Sequence, residues 1–176
     1  MEEVLTRPAT AEDFERLGIV APAAYAAAYH HMWPKAADLA RQLETFGERA
    51  LREFAGRPDA HLWIAEADGV PVGFLTLLEN SPDPVIGGAG GAEVPRIFLL
   101  PNVRGRGIGR TLFSHALEAA RATGMRYIWL DAMDTADWSI GAYLKWGFRR
   151  VGTSVFPRAV ASQLKGMVVF RMELDG

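Results

Sequence analysis

The sequence contains no cysteine among its 176 residues. Disulfide bonds, cysteine-based metal sites and a thiol nucleophile are therefore excluded, and a reducing compartment is compatible with the chain. The histidines do not show the close spacing of a zinc site; they stand at His30, His31, His61 and His115. We accordingly expect no bound metal.

The chain also lacks a surplus of positive charge and a long apolar run. Its formal net charge is −2, whereas sequence-independent binding to nucleic acid needs a clear cationic surplus. No apolar stretch approaches the ~18 residues that a membrane span requires, and the acidic start Met-Glu-Glu-Val does not resemble a signal peptide. We therefore expect a cytoplasmic protein with neither a nucleic-acid nor a membrane partner.

Length and composition are those of an ordinary globular domain. Apolar residues make up 49% of the chain and charged residues 23%, and 176 residues are enough for one sizeable hydrophobic core. There is no internal repeat, linker or low-complexity segment. The sequence thus predicts a single domain over residues 1–176.

The most informative stretch runs from Val94 to Phe113 and predicts an apolar strand, a short loop and a helix. Glycines alternate with arginines in the loop, and glycine lets a backbone approach a ligand closely. A helix that begins directly after the loop directs unpaired N–H groups and a partial positive charge back at it. The loop therefore suits a pyrophosphate, and its residues are Arg104, Gly105, Arg106, Gly107, Ile108 and Gly109.

Three phosphate-binding patterns compete for this loop. A Walker A loop requires a lysine after its last glycine, and Arg110 stands there instead. A dinucleotide fingerprint is matched by Gly105 and Gly107, with Asp131 as the following acidic residue, but its third glycine falls one position early, at Gly109. The third pattern, R-x-x-G-x-G, is matched by Arg104, Gly107 and Gly109.

Hydrophobic spacing and turn residues predict the remaining elements in chain order. The first half contains a strand over 4–7, a helix that begins at Thr10 with Pro22 near its end or opening a second piece, one helix from Pro34 to Gly56, and a hairpin of 61–67 with 70–78 around Asp68-Gly69. A loop over 81–92 follows. The second half contains a helix from 108 to near Gly124, a strand over 126–131, a helix over 136–146, and two antiparallel strands over 148–156 and 166–174.

This order of elements resembles the GCN5-related N-acetyltransferase (GNAT) superfamily over nearly the whole chain. The most specific resemblances are the stretch Ile97–Gly109, which is similar to the family's acetyl-CoA loop, and Ala142–Phe148, which resembles its F-Y-x-K-x-G-F segment. The resemblance implies an α/β fold, the single-domain acyl-CoA N-acyltransferase fold, with a mixed, mostly antiparallel sheet flanked by helices. It also implies acetyl-CoA as cosubstrate.

The resemblance assigns roles to individual residues. It implies that the main chain of Ile97, Phe98 and Leu99 pairs with pantetheine and that the amides of 104–109 hold the pyrophosphate. It implies that Tyr143 lies near the sulfur of CoA and acts as general acid. One departure is Ala136, where many relatives carry an asparagine that contacts CoA; Asp137 or Trp138 replaces that contact, or it is lost. The stretch from Glu93 and the closing segment faintly resemble polyamine-type acetyltransferases.

Acetyl transfer to an amine requires a proton acceptor, because a free alkyl amine is largely protonated at neutral pH. Glu93, at the start of the central strand, is the first candidate, acting through water. Glu79 and Asp131, at the ends of neighbouring strands, are alternatives, and each of the three is also compatible with a solvated charge at a strand end. Strand amides near Leu99 are candidates for stabilising the oxyanion. Residues with weaker claims to the acceptor site are His30, His31 and Trp33.

Three functions follow as hypotheses. The first is an N-acetyltransferase that moves the acetyl group of acetyl-CoA to a primary amine, of a small molecule, polyamine-like compounds included, or of a protein. The alternatives are a non-catalytic acyl-CoA-binding module, suggested by Ala136, and an NAD-type dinucleotide-binding oxidoreductase, suggested by Gly105, Gly107 and Asp131. The sequence names neither the acceptor nor the oligomeric state, for which a homodimer stays open.

Overall fold

A computed structural model of the chain describes residues 3–174. Strands and helices alternate irregularly within this range, in the order β1 Val4–Pro8, α1 Phe14–Tyr29, α2 Ala36–Glu44, α3 Glu48–Ala55, β2 Ala60–Ala67, β3 Val70–Leu78, β4 Gly91–Leu99, α4 Ile108–Ala122, β5 Tyr127–Met133, α5 Asp137–Trp146, β6 Arg149–Val155 and β7 Gly166–Glu173. Single turns of 3₁₀ helix stand at His30–Met32, Pro101–Val103 and Ser162–Leu164.

The β2–β3 hairpin confirms the turn predicted at Asp68-Gly69. Both residues have positive φ, +50° and +74°, which is the conformation that a two-residue type I′ turn requires. Strand β3 is buried along almost its whole length. The hairpin thereby supplies much of the core of the first half of the chain.

The first helical region differs from the prediction at its start. Helix α1 begins at Phe14 and not at Thr10, because the carboxylate of Asp13 accepts hydrogen bonds from the N–H and the hydroxyl of Thr10 at 2.7 and 3.1 Å. These bonds hold residues 10–13 in a turn outside the helix. Pro22 neither ends α1 nor opens a second piece; it lies inside one continuous helix.

The single helix predicted from Pro34 to Gly56 is wrong, since two helices occupy this range. Gly47 is extended, with a ψ of 166°, and separates α2 from α3. The carbonyl of Thr45, which would accept a bond inside a continuous helix, accepts one from Nη1 of Arg96 at 2.6 Å instead. Gly56 does follow the last residue of α3, as the sequence predicted.

Within residues 3–174 the sheet has seven strands in the order β1-β2-β3-β4-β5-β7-β6. Strands β1 and β2 pair antiparallel, β4 and β5 pair parallel around the crossover helix α4, and β7 pairs antiparallel with both β5 and β6. The predicted mixed, mostly antiparallel α/β sheet is therefore confirmed. The last strand, β7, lies between β5 and β6, an insertion that chain order alone does not reveal.

By its internal contacts the chain divides into two compact units, one of residues 1–77 with 96–116 and one of residues 78–95 with 117–176. The number of domains stays a prediction. In the first unit the largest fully buried side chains come from the helices and the hairpin, and include Phe46, Leu51, Phe74 and Phe113. In the second, Tyr127, Trp129 and Val169 form a buried cluster on β5 and β7.

None of the helices in the described range is long and apolar enough to cross a membrane.

Candidate active site

The glycine-rich loop follows β4 as the sequence predicted, but it ends at Gly107, because Ile108 and Gly109 already lie in α4. Gly105 and Gly107 have φ values of +73° and +80°, a left-handed conformation in which a side chain would be strained. Both are exposed, whereas Val103 and Ile108 on either side are buried and fix the ends of the loop. The loop is thus a short exposed backbone segment held at two apolar points.

Helix α4 begins at Ile108, directly after the loop. The N–H of Thr111 donates to the carbonyl of Gly107 at 3.1 Å, closing the first turn. The N–H groups of a first helical turn point back along the axis and carry a partial positive charge. Arg104 curls back over the preceding strand, where its Nε donates to the carbonyl of Leu99 at 3.1 Å. This arrangement of N–H groups and cations favours an anionic ligand such as a pyrophosphate.

Strand β4 pairs with β5 near its beginning and diverges from it before the loop. The register of β4 against β5 runs over Gly91–Glu93 and Tyr127–Trp129, although both strands continue well beyond it. The segment Ile97–Leu99, which the resemblance assigns to pantetheine, lies past this register and is partly exposed. A main chain that no longer pairs with its parallel neighbour has N–H and C=O groups that an extended ligand can meet.

On its other side β4 approaches β3 very closely at Gly73. A Cβ atom at Gly73 would collide with Cδ2 of Leu99 and would lie 2.8 Å from the carbonyl oxygen of Phe98. The N–H of Leu100 donates to the carbonyl of Val72 at 2.9 Å. The glycine therefore fixes the position of the segment from Phe98 to Leu100.

Two carboxylates from neighbouring strands meet in the second unit. Glu93 pairs in register with Trp129, and Asp131 stands two residues further along β5, so both acids lie on the same face. Desolvation raises the pKa of Glu93, and a hydrogen bond from the Ser81 hydroxyl at 2.6 Å opposes that rise. The structure thus brings together the first candidate base and one of its two alternatives.

Of the two carboxyl groups, that of Asp131 has the more strongly raised pKa. Asp131 has an accessible surface, but the protein around its carboxylate partly excludes water. This desolvation, together with the negative charge of Glu93, raises the pKa of Asp131 to about 6. A carboxylate with a pKa near neutrality is a better proton acceptor than one with an ordinary pKa. The raised pKa therefore makes Asp131 as good a candidate for the proton acceptor as Glu93.

The loop from 79 to 90 covers this face of the sheet in an ordered conformation. Asp83 has a fully buried carboxylate that accepts from Nη1 of Arg171 at 2.8 Å and from the N–H groups of Val85 and Ile86 at 2.9 and 2.7 Å. The hydroxyl of Tyr127 donates to loop carbonyls at Gly87 and Gly88. These contacts fix the loop to β5 and β7.

Sequence reasoning missed Ser81, Asp83 and Arg171. The short run Pro82-Asp83-Pro84 contained a usable signal, because an aspartate there often caps the next N–H groups of a turn. Ser81 and Arg171 carried none, since their partners are distant in sequence. The predicted loop began at Ser81 and extended to Ala92, whereas β4 already begins at Gly91.

Tyr143 lies on α5, is only 7% exposed, and packs edge-on against three rings. The ring centroids are 5.4 Å from Trp146, 5.8 Å from Phe170 and 6.1 Å from Phe148. Gly147 ends the helix with a φ of +103°, and the N–H of Phe148 donates to the carbonyl of Tyr143. The conformation of the segment Ala142–Phe148 and these ring contacts therefore fix the position of the Tyr143 ring.

The start of α5 carries Ala136 at the position where the resemblance leads us to expect an asparagine. Ala136 is buried and precedes the first helical residue, and its N–H donates to the carbonyl of Met133. Asp137 and Trp138 are exposed in the first turn, with Trp138 58% accessible. Contact of either residue with CoA stays a prediction.

The weaker acceptor-site candidates lie in the first unit. His30 bonds the carbonyl of Ala26 through Nδ1 at 2.8 Å, and His31 is exposed. Trp33 is buried and donates from Nε1 to the hydroxyl of Tyr25 at 3.1 Å. The ring of Tyr25 belongs to an aromatic cluster whose other members are Tyr29, Phe46, Phe74 and Phe98. The third candidate base, Glu79, is half-buried at the end of β3.

Comparison with known proteins agrees with this geometry. A sequence model described as the acetyltransferase (GNAT) family matches residues 25–148. The peptidyl-lysine N-acetyltransferase YjaB of Salmonella typhimurium is 33% identical over 98 residues, which are 55% of this chain and 56% of that protein. Its Escherichia coli counterpart is 32% identical over 118 residues, 66% of this chain and 67% of that protein.

A solved structure shares the fold over almost the full length. The PaiA N-acetyltransferase of Thermoplasma acidophilum, determined in complex with coenzyme A, superposes with a TM-score of 0.76 at 20% identity. The superposition covers 98% of this chain and 99% of that one.

Proposed function

Because the chain belongs to the acetyltransferase (GNAT) family and is an acetyltransferase by class, we propose that it transfers the acetyl group of acetyl-CoA to a primary amine by direct attack of the nitrogen. One observation supports this most strongly: the exposed segment Gly105–Gly107, in which both glycines are left-handed, leads directly into the N-terminus of α4. That combination suits the pyrophosphate of CoA.

The residues present fit acetyl-CoA as cosubstrate, which supplies the activated acetyl thioester. The amides of Gly105–Gly109 hold the pyrophosphate, with Arg104 and Arg106 adding positive charge. The main chain of Ile97–Leu99, past the β4–β5 register, pairs with pantetheine in the manner of an added strand. The amide N–H near Leu99 stabilises the carbonyl oxygen as it becomes anionic.

The carboxylates of the second unit take the proton from the amine. An alkyl ammonium with a pKa of about 10.4 is ~3 units from its neutral form at pH 7, a cost of ~4 kcal/mol without assistance. Glu93 accepts the proton through water and Asp131, whose pKa is raised to about 6, receives or shares it. Tyr143 then donates its phenolic proton to the leaving thiolate.

The acceptor is a primary amine of a protein or of a small molecule. The relatives from Salmonella and Escherichia are described as peptidyl-lysine N-acetyltransferases, so a lysine side chain in a peptide is the first acceptor to test. The chain spans 56% and 67% of the length of these relatives. A polyamine-like small amine is the second acceptor, suggested by the sequence from Glu93.

The test is an assay of free CoA thiol with acetyl-CoA and a panel of peptide lysines, polyamines and other small amines. We expect amine-dependent thiol release well above the rate of hydrolysis in the absence of amine. Tight CoA binding with no transfer to any amine would favour the non-catalytic acyl-CoA-binding alternative, for which the buried Ala136 is the supporting observation. In a parallel titration with NAD and CoA, tight binding of NAD without binding of CoA would favour the dinucleotide alternative.

A further inference from the structure

Ser81 makes contacts that tie the carboxylate Glu93 to two strands. Its hydroxyl donates to Oε2 of Glu93 at 2.6 Å, and its N–H donates to the carbonyl of Gly91 at 2.9 Å. Its own carbonyl accepts from Nε1 of Trp129 at 2.7 Å. Ser81 is thus fixed to β4 through Gly91 and to β5 through Trp129, the strand that also carries Asp131.

The backbone packs tightly around this serine. A Cβ atom at Gly91 would lie 2.6 Å from the carbonyl oxygen of Ser81 and 2.5 Å from the hydroxyl of Tyr127. Two residues further along the loop, the buried carboxylate of Asp83 is bound by Arg171. The hydroxyl of Ser81 therefore meets Glu93 in a position that the loop and both strands define.

We propose that Ser81 is a positioning residue for acetyl transfer, whose hydroxyl favours the ionised form of Glu93 and holds it in one orientation, so that a proton that Glu93 takes from the amine passes on to Asp131. The inference rests on the proposed function. A serine hydroxyl has one proton to donate, and donation to a carboxylate stabilises its charged form. Two neighbouring carboxyl groups resist being ionised together, and the group without the hydroxyl donor is Asp131.

The other charged groups on this face of the sheet are largely paired among themselves. Arg171 binds the carboxylates of Asp83 and Glu173 at 2.8 and 2.7 Å, and Arg149 lies 3.3 Å from Glu173. Opposite Asp131 on β7 stands Val169, which is apolar. Glu79, which follows the last residue of β3 and lies two positions before Ser81, is a further acid of this region. Burial raises the pKa of both carboxyl groups, and the hydroxyl of Ser81 opposes that rise at Glu93.

The proton transfer balances as an acid–base exchange. The ammonium form of the acceptor loses a proton to the carboxylate pair, directly or through water, and becomes a neutral amine. The nitrogen lone pair then forms the bond to the acetyl carbon as the carbon–sulfur bond breaks, and the nitrogen loses its second proton to solvent as the amide forms. The released thiolate takes a proton from Tyr143, and that hydroxyl is restored by solvent.

The experiment measures kcat/KM for the amine against pH in wild type, Ser81→Ala, Ser81→Thr, Glu93→Gln and the double variant Ser81→Ala/Glu93→Gln. We expect Ser81→Ala to shift the acid limb to higher pH by about one unit, since a hydrogen bond to a charged group contributes on that scale. The KM for acetyl-CoA should change little. Ser81→Thr, which keeps the hydroxyl, should restore the wild-type profile.

Two controls separate positioning from folding. Ser114→Ala removes the hydroxyl of another serine, which bonds the carbonyl of Arg110 on α4, and should leave the pH profile unchanged. If Ser81 acts through Glu93, the double variant should be no slower than Glu93→Gln alone. An unchanged acid limb in a folded Ser81→Ala protein, or equal losses in both backgrounds, would overturn the proposal.

A second measurement does not depend on turnover. Titration of ¹³C-labelled side-chain carboxyl groups by NMR should show the pKa of Glu93 rising in Ser81→Ala relative to wild type. If wild type transfers acetyl to no amine, the proposed function fails while this titration still decides the role of Ser81. Identical Glu93 titrations in the two proteins would refute that role.

Discussion

Arg171 on β7 binds Asp83 across 88 residues of sequence, with Nη1 donating to Oδ2 at 2.8 Å. The guanidinium also lies 3.5 Å from the ring centroid of Tyr127. Burial opposes ionisation of Asp83, but hydrogen bonds from the Ile86 N–H and from Arg171 outweigh it and hold the pKa of the carboxyl below its usual range. This ion pair fixes the loop that carries Ser81 to the strand beside Asp131.

Asp83→Asn should destabilise the protein by about 3 kcal/mol, because it leaves the arginine without its buried counter-charge. Urea unfolding at pH 7 measures the loss. Asp59→Asn, at a partly exposed aspartate paired with Arg57, is the matched control and should change the midpoint very little. Equal midpoints for the two variants would show that the Asp83–Arg171 pair does not stabilise the fold.

Asp131→Asn should raise the thermal midpoint at pH 8 and leave it unchanged at pH 3. A carboxyl whose folded-state pKa is raised to about 6 favours the protonated form, so its contribution to stability is lost as pH rises from about 4 to about 6. Above that range the folded protein retains an unfavourable charge that asparagine removes. A lower midpoint at pH 8 would contradict the desolvation of Asp131.

Asp13→Asn provides the contrast in sign. Hydrogen bonds from Arg7, opposed by desolvation and assisted by Thr10, lower the pKa of Asp13 to about 2. Its stabilising contribution is therefore present above about pH 4 and is lost as pH falls toward 2. Thermal scans should show Asp13→Asn below wild type at pH 6, with the difference shrinking as pH falls toward 2; a difference that stays constant over this range would contradict the lowered pKa.

Gly73→Ala should weaken acetyl-CoA binding and destabilise the protein. The added Cβ would collide with Leu99 and with the carbonyl of Phe98, so the strand proposed to pair with pantetheine must move. Gly141→Ala on α5 meets no atom within 4 Å and should be neutral or slightly stabilising, since alanine is the better helix former. Calorimetric titration with CoA and a thermal scan compare the two variants.

Arg104→Ala/Arg106→Ala should weaken CoA binding much more than binding of a truncated pantetheine thioester, because only CoA carries the phosphates. Arg121→Ala, an exposed arginine in the last turn of α4, is the control and should weaken neither ligand. Equal losses for both ligands in the double variant would mean that the arginines act through folding.

Tyr143→Phe should lower kcat by ~10²-fold, the usual scale for a positioned proton donor. The ring contacts with Phe148, Phe170 and Trp146 remain, so the stability and the KM for acetyl-CoA should change much less. A more acidic leaving thiol should recover part of the lost rate. An unchanged kcat, with chemistry limiting, would leave Tyr143 as a packing residue.

Local chemistry explains which elements the sequence predicted well. The turn at Asp68-Gly69 and the stop at Gly147 depend on backbone conformations that few other residues adopt, so residue type alone indicates them. The strand, loop and helix around Arg104–Gly109 were predicted for the same reason. Gly105 and Gly107 have positive φ, whereas Gly109, the last glycine of the pattern, already lies in α4.

The errors arise where a distant residue decides the local structure. The spacing of Leu43, Phe46 and Ala50 fits one continuous helix, but the bond from Arg96 to Thr45 and the extended Gly47 divide it. Loop composition gave no sign that Arg171 fixes Asp83. Glu93 was predicted as a candidate acid from its place on the strand. Its partner Ser81 could not be predicted, because the two residues are 12 positions apart in sequence and only the fold brings them into contact.

A quenched time course that counts free CoA thiol and N-acetylated amine in the same sample tests the proposed acetyl transfer most directly. With wild-type protein, acetyl-CoA and the best amine of the panel, we predict that both products rise in equal amounts and in proportion to enzyme. Mass spectrometry should place the acetyl group on the primary nitrogen. Thiol release without acetylated amine, or no release above the amine-free control, would contradict it.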